Sequence, residues 1–453
     1  MRHPTVSRRE VLKRAAAAAG AMALPMIVPG SVFGENAPSN RLNLAGIGVG
    51  GRGTFDCRSR FLPLEDVRFV ACADCRQNRR DAFVKMANDR YQGKVCTAYR
   101  DFRDVLARKD VDGVVVSTPD HWHVPVAVYA AQAGKDMYVE KPLGIAMAWE
   151  WKLREAVAKH KCVFQYGTQQ RGDQKQFRRA CELVRNGYIG QVQRVDAWCP
   201  DMSSQYSEAS VPPYGSTKPI DVPAELDYDM WIGPAPMKPY TADRATCFGG
   251  WHIYDYALGF VAGWGAHPLD IAQWGLDMDN SGPVRYEGTG KIPPKGSLWD
   301  TVESWDVHCE YANGVKMHFM GERVAKPFVN AYHPAWEDHG TTFFGTKGWV
   351  SVNRNALYAS DKKLQKTQTK PEEIHLTTTT SQARDFVDCM KSRKPTINPL
   401  ESAIRSDTIS HLSDLCIRLG RPIQWDPQKE QIVNDAEATK LLNRPLREPW
   451  KLD

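Results

Sequence analysis

RLNLAGIGVGGRGTFDCRSRFLPLEDVRFVACAD, residues 41–74, decides the fold. Leu42–Ile47 is a short apolar run and predicts a buried strand. Gly48, Gly50 and Gly53 follow it with G-x-G-x-x-G spacing, and a helix is expected after them. A second apolar run, Val67–Ala73, ends on Asp74, about 20 residues past the glycines. Strand, glycine turn, helix, strand and terminal acid, in that order, are a dinucleotide-binding arrangement. Gly48 allows the tight turn, Gly50 lets backbone N–H groups approach a pyrophosphate, and Gly53 lets the helix pack close to the strand. Gly51 and Arg52 lie in the same turn, whose helix start faces the phosphates. Asp74 is placed to accept from ribose hydroxyls. A carboxylate there repels a 2′-phosphate and favours NAD, while Arg76 and Arg79 close by keep NADP possible.

Downstream, strands and helices alternate. Helices are predicted over Asn78–Tyr91, Phe102–Lys109, about 124–134 and Trp149–Lys159, and strands over Val95–Tyr99, Val111–Ser117, Asp136–Glu140 and Cys162–Tyr166. This order implies an α/β, doubly wound parallel sheet up to about residue 166, with ligand loops after the strands. Those loops carry Thr118-Pro119-Asp120-His121-Trp122-His123 and Glu140-Lys141-Pro142-Leu143-Gly144. After residue 170 the pattern changes. Helix Phe177–Asn186, strand Val192–Trp198 and a Pro/Ser/Tyr-rich stretch at 200–245 precede a helix over Gly263–Leu276. Antiparallel strands are expected at Val302–Glu310, Val315–Met320, Thr341–Phe344 and Trp349–Val352, with helices Ser381–Lys391 and Glu401–Leu419. This half is an α+β domain with an open sheet. The boundaries implied are a leader at 1–36, a nucleotide domain at 37–166, a second domain at 167–425 and a tail at 426–453 that packs back on the body.

Upstream, Arg8-Arg9 precedes an alanine-rich apolar run, Ala15–Val28, in the pattern of a Tat export signal. The run is too short and too broken by Pro25 and Pro29 for a permanent membrane span. Arg2, Arg8, Arg9, Lys13 and Arg14 against Glu10 place four of the chain's six net positive charges in this leader. The body is therefore nearly neutral, and no nucleic-acid partner is inferred. A periplasmic location follows, with the Tat machinery as partner through Arg8-Arg9. The 11 cysteines show no disulfide framework. Cys72-x-x-Cys75 and the His121/His123 pair are read as packing and ligand contacts, and no metal site is expected.

The glycine turn, the acid after the second strand, TPDHWH, EKP and a later G-x-x-x-H-x-x-D helix together resemble the glucose–fructose oxidoreductase/inositol dehydrogenase/MocA family, over nearly all of the chain past residue 40. The resemblance implies a Rossmann domain holding NAD or NADP, and a second domain whose large, mostly antiparallel sheet covers the nicotinamide and holds a sugar or polyol. It also implies a homodimer or homotetramer built on that sheet. Lys141 matches the family's EKP lysine, beside the substrate oxygen, with a Lys141–Pro142 bond that is often cis. His267 matches the family's histidine, positioned to take the substrate's proton, and Asp270 three residues on is placed to orient its ring. Thr118, Pro119, His121, His123 and Glu140 are cofactor-contact candidates. Trp122, Gln169, Arg171, Asp255 and Tyr256 are substrate-contact candidates. Many family members carry an acid four residues before the histidine, where this chain has Gly263.

The leading expectation is an exported NAD(P)-dependent sugar or polyol oxidoreductase that keeps its cofactor through turnover. The alternative is a redox-neutral, NAD-dependent glycoside hydrolase or lyase on the same fold, of which known members generally lack the EKP lysine. A third is a non-enzymatic sugar-binding or scaffolding protein that keeps a nucleotide.

Overall fold

Six apolar runs of the first 167 residues are strands of one parallel sheet in the computed structural model, which describes residues 41–205, 214–333 and 336–453. The leader, with Arg8-Arg9, lies outside the described residues. The strands are β1 (Leu42–Ile47), β2 (Val67–Ala73), β3 (Thr97–Tyr99), β4 (Gly113–Val116), β5 (Asp136–Glu140) and β6 (Phe164–Gly167), in the order β3-β2-β1-β4-β5-β6. β4, β5 and β6 are buried along their whole length, as strands covered by helices on both faces must be. The order reverses between β1 and β4, so the crevice forms at their carboxyl ends. One face packs Phe61 edge-on against Phe69, Tyr138 and Phe386. The other packs Val105, Trp122, Leu153 and Trp450.

The second sheet has nine strands: β7 (Val192–Cys199), β8 (Arg285–Lys291), β9 (Ser304–Glu310), β10 (Lys316–Gly321), β11 (Gly340–Gly345), β12 (Gly348–Val352), β13 (Leu357–Ala359), β14 (Ile423–Asp426) and β15 (Gln431–Ile432). They run in the order β13-β12-β11-β7-β10-β9-β8-β14-β15. The sheet is antiparallel except for the β7–β10 pair. Along β9, Trp305, Val307 and Cys309 point into the core, and Asp306, His308 and Glu310 take the other face. The inner face packs on helices Lys175–Arg185, Ala266–Leu276 and Leu400–Leu419.

Three sequence expectations change. The helix predicted from about residue 124 starts at Asp120, so His121, Trp122 and His123 form its first turn rather than a loop. Pro125 lies inside this helix, in a segment buried from Asp120 through Val128, and packing overrides its helix-breaking tendency. Residues 382–404 do not pack with the second domain alone: Phe386 of helix Gln382–Ser392 meets Phe61 and Tyr138, and Leu400, Ala403 and Ile404 join the nucleotide domain's core. Strand β8 carries too little apolar periodicity to be read beforehand, and helix Glu322–Asn330 is short and carries Pro327 inside it.

Within the 200–245 stretch, the described residues build a small core around Trp231, Ile232 and Tyr256. It ties back to the nucleotide domain through Gln77 N–H on the Glu225 carbonyl (2.9 Å) and Asp227 N–H on the Cys75 carbonyl (3.0 Å). The tail returns to the same domain, where Trp450 stacks on Phe102. Among the described residues all cysteines are free, and no helix is long and apolar enough to cross a membrane.

Candidate active site

The cleft opens where the topology places it. Gly48, Gly50, Gly51 and Arg52 form one wall, Asp74 and Arg79 the next, and Ser117, Thr118, Pro119, Asp120 and Trp122 the third. Thr246, Cys247, Gly250 and Trp251 close it from the second domain. Gly48 has φ +78°, and a Cβ there would lie 2.6 Å from the Thr118 backbone nitrogen. A Cβ on Gly53 would fall 2.0 Å from the Gly48 carbonyl oxygen. Both glycines are therefore dictated by close backbone approach.

A dinucleotide fits this donor set. Asp74 is 7% exposed, and burial raises its carboxyl pKa against the pull of Arg79. Asp74 Oδ1 accepts from the Arg76 backbone N–H at 2.9 Å. The Ser117 and Thr118 hydroxyls and Asp120 Oδ2 are buried in the cleft wall with no protein partner, which leaves them for a ligand's hydroxyls. Arg76 itself turns away: its guanidinium donates to the Ala245 carbonyl at 2.8 Å. Of the two arginines weighed for a 2′-phosphate, Arg79 lines the cleft.

Behind this wall stands the EKP loop, with Lys141–Pro142 cis. Lys141 Nζ donates to the Gly263 carbonyl at 2.6 Å. Burial lowers the Lys141 ammonium pKa, opposed by Glu140 and then Asp120. Glu140 Oε1 accepts from Arg52 at 3.3 Å and from Gln169 at 2.6 Å. Gln169 is thereby a support for Glu140 rather than a free substrate contact, and it also donates to Tyr138 Oη. Asp120, absent from the sequence candidates although inside the quoted motif, is 4% exposed at the helix start. Burial pushes its carboxyl up to about 8, with Lys141 the leading opposing charge.

His267 is buried, and its Nε2 lies 2.9 Å from Arg354 Nη2. A guanidinium only donates, so Nε2 accepts and the neutral ring carries its proton on Nδ1. Burial, then Arg354 and Lys141, hold the imidazole pKa well below its usual value. Nδ1 has no protein partner. His267 is thus a hydrogen-bond donor here, where the sequence suggested a proton acceptor. The signal for Arg354 is not local in the sequence: it arrives from the turn between β12 and β13, 87 residues away.

Asp270 does not orient His267. Both its oxygens are taken: Arg171 donates to Oδ1 at 2.7 Å, and Thr168 and Asn398 donate to Oδ2 at 3.0 Å each. Arg171 also donates to Asp279 at 2.7 and 2.8 Å. The Arg171–Asp270 pair is a closed internal brace, since an i, i+3 spacing brings two residues near one helix face without aiming both side chains at one ligand. His121 and His123 likewise turn inward. His123 sits between the Pro142 and Thr118 carbonyls, with Nδ1 2.6 Å from the first and Nε2 2.8 Å from the second and one ring N–H to donate, so it packs the two ligand loops together, and His121 Nε2 meets the Trp231 carbonyl at 3.0 Å. Trp122 lines the cleft with its indole N–H held by the Met230 carbonyl at 3.0 Å. Tyr256 is buried, with its hydroxyl accepting from Arg244 at 3.1 Å, and Asp255 is half-buried away from the residues lining the cleft.

Comparison with known proteins agrees with this geometry. Residues 42–168 match the oxidoreductase family's NAD-binding Rossmann fold, and residues 214–452 match the same family's C-terminal alpha/beta domain. Among solved structures of like fold are GenD2 from gentamicin A biosynthesis, in complex with NAD (TM-score 0.60, 16% identity, 85% of this chain and 97% of that one), and myo-inositol 2-dehydrogenase from Lactobacillus plantarum (TM-score 0.58, 17% identity, 85% and 99%). A glycosyl hydrolase family 109 protein of Shewanella putrefaciens is 37% identical over 127 residues, 27% of this chain. That match spans 28% of the relative's length. The chain belongs to the Gfo/Idh/MocA oxidoreductase family, with an NAD-binding Rossmann domain at residues 42–168.

Proposed function

We propose that this protein transfers hydride between a tightly held nicotinamide cofactor and a sugar or polyol, oxidising a carbinol or reducing the matching carbonyl. The observation that carries the reading is Lys141: an amine with a lowered pKa, fixed by the Gly263 carbonyl and electrostatically coupled to the cleft carboxyl Asp120 and the neutral His267. The bound dinucleotide supplies the hydride acceptor or donor. Lys141 takes the proton from the substrate hydroxyl, and its lowered pKa makes the free amine easier to reach than in an ordinary lysine. His267 Nδ1–H donates to the same oxygen and holds it in place. Asp120 stands in for the acid that many relatives carry at position 263 and receives or returns the proton through Lys141. The Arg8-Arg9 leader makes this an exported, periplasmic enzyme that recycles its cofactor between two substrates.

A redox-neutral glycoside-cleaving reaction is the second reading, favoured by the 37% identity over 127 residues to a glycosyl hydrolase family 109 protein. One experiment separates the two. The protein is purified without added nucleotide and denatured, and the released dinucleotide is identified. The native protein is then followed at the reduced-nicotinamide band across a panel of sugars, polyols and glycosides. Reduction by a sugar or polyol supports hydride transfer. Glycoside cleavage without net reduction replaces it with the second reading. No nucleotide released, and none bound on addition, refutes both.

A further inference from the structure

The outer face of the second sheet carries an unusual row. Register places Glu287 of β8 opposite His308 of β9, His308 opposite His318 of β10, and His318 opposite Asp196 of β7. Two imidazoles thus stand as direct cross-strand neighbours, with rings 4.3 Å apart and nearly parallel at 16°. Both aim at one oxygen: His318 Nε2 lies 2.7 Å and His308 Nε2 3.4 Å from Asp306 Oδ1. Asp306 and His308 are two apart on β9 and so share the face.

The charges around the row make the cluster more than a chance of register. The two flanking acids already have cations: Asp196 pairs with Arg194 at 3.0 Å and Glu287 with Arg285 at 2.6 Å. Asp306 has none. Among the described residues no lysine or arginine lies within ion-pair distance of it, and its neighbours are imidazoles. His318 is held by the Phe328 ring edge-on at 5.3 Å, while His308 stays exposed.

We infer that Asp306, His308 and His318 form a divalent transition-metal site on the second domain, remote in sequence from the nucleotide cleft. Their three donor atoms lie within 4.8 Å of one another, and two imidazole nitrogens with one carboxylate oxygen suit zinc or a neighbouring late first-row ion. The exposed His308 side leaves room for water or a further ligand to complete the shell. Such an ion would pin β9 to β10 at the middle of the sheet.

The test uses the full, untagged chain stripped with EDTA and titrated with Zn²⁺ by calorimetry, with Co²⁺ as a visible-absorption probe of the ligand field. Wild type is expected to bind one equivalent with intense Co²⁺ bands. His308→Ala and His318→Ala are each expected to weaken Zn²⁺ binding by at least about 100-fold, beyond the loss of a mere supporting partner. Thermal unfolding of the apo proteins serves as the control, and the exposed His308→Ala variant is expected to melt with wild type. Absence of Zn²⁺ binding by wild type, or Zn²⁺ bound by His308→Ala with the affinity of wild type, overturns the site and leaves an imidazole–carboxylate contact in its place.

Discussion

Two internal charge clusters draw on helix Ala266–Leu276, one through Asp270 and the other through His267, and they could hardly be finished more differently. Arg171 and Asp270 use both carboxylate oxygens and several guanidinium N–H groups on protein partners, with Asp279, Thr168 and Asn398 filling the rest. Around Lys141, by contrast, Asp120 Oδ2 and His267 Nδ1 stay buried and unpartnered, beside a lysine whose charge is disfavoured. Unmet hydrogen bonds and displaced titrations cost stability, and a fold retains them where a ligand will use them. Both clusters are built from residue types a sequence reader would nominate for catalysis. Satisfaction separates the brace from the site.

That contrast can be broken experimentally. The largest effect is expected from Lys141→Ala, which should reduce turnover about 10²–10⁴-fold in steady-state kinetics while nucleotide release on denaturation is unchanged. An unaltered kcat would move the chemistry elsewhere. Arg171→Ala should do the reverse, leaving Asp270 as a buried unpaired charge at a cost of about 3–5 kcal/mol in denaturant unfolding. A drop in kcat with unchanged stability would instead return Arg171 to the site.

A smaller effect sharpens the open cluster. Position 263 has room, since a Cβ there would meet nothing nearer than Phe260 Cδ1 at 3.8 Å. Gly263→Asp therefore should fold, and a new carboxylate beside Lys141 should favour its ammonium form and move the pH–rate profile to higher pH. The smallest concerns Asp120. Its folded value of about 8 lies above the ordinary 3.8, so the folded chain keeps a proton that the unfolded chain loses from pH about 4 upward. That contribution to stability is present below the ordinary value and is lost as pH rises toward 8. Asp120→Asn should flatten the fall in melting temperature over this window, leaving the part contributed by Asp56 and Glu150, whose carboxyls are also pushed up to about 8.

The second sheet repeats the lesson in another form. Its inner face, Trp305, Val307 and Cys309, is an ordinary alternating strand. Its outer face gathers His308, His318 and Asp306, which sequence spacing alone leaves as scattered polar residues.

What the chain's order of residues settles by itself is local. Gly53 answers to the Gly48 carbonyl inside one turn, Asp74 ends a strand a fixed distance on, and β4 and β5 are apolar enough to be buried on both faces. These features depend on neighbours within about 30 residues, the span of a single βαβ unit, so a linear pattern can carry them. Whether a polar side chain is free or spent depends on partners far away. Arg354 fixes the proton of His267 from 87 residues off, Gly263 holds Lys141 from 122, and Asn398 completes Asp270 from 128. No periodicity records such meetings, because they are made by the packing of whole elements. The choice between brace and site therefore belongs to the tertiary structure.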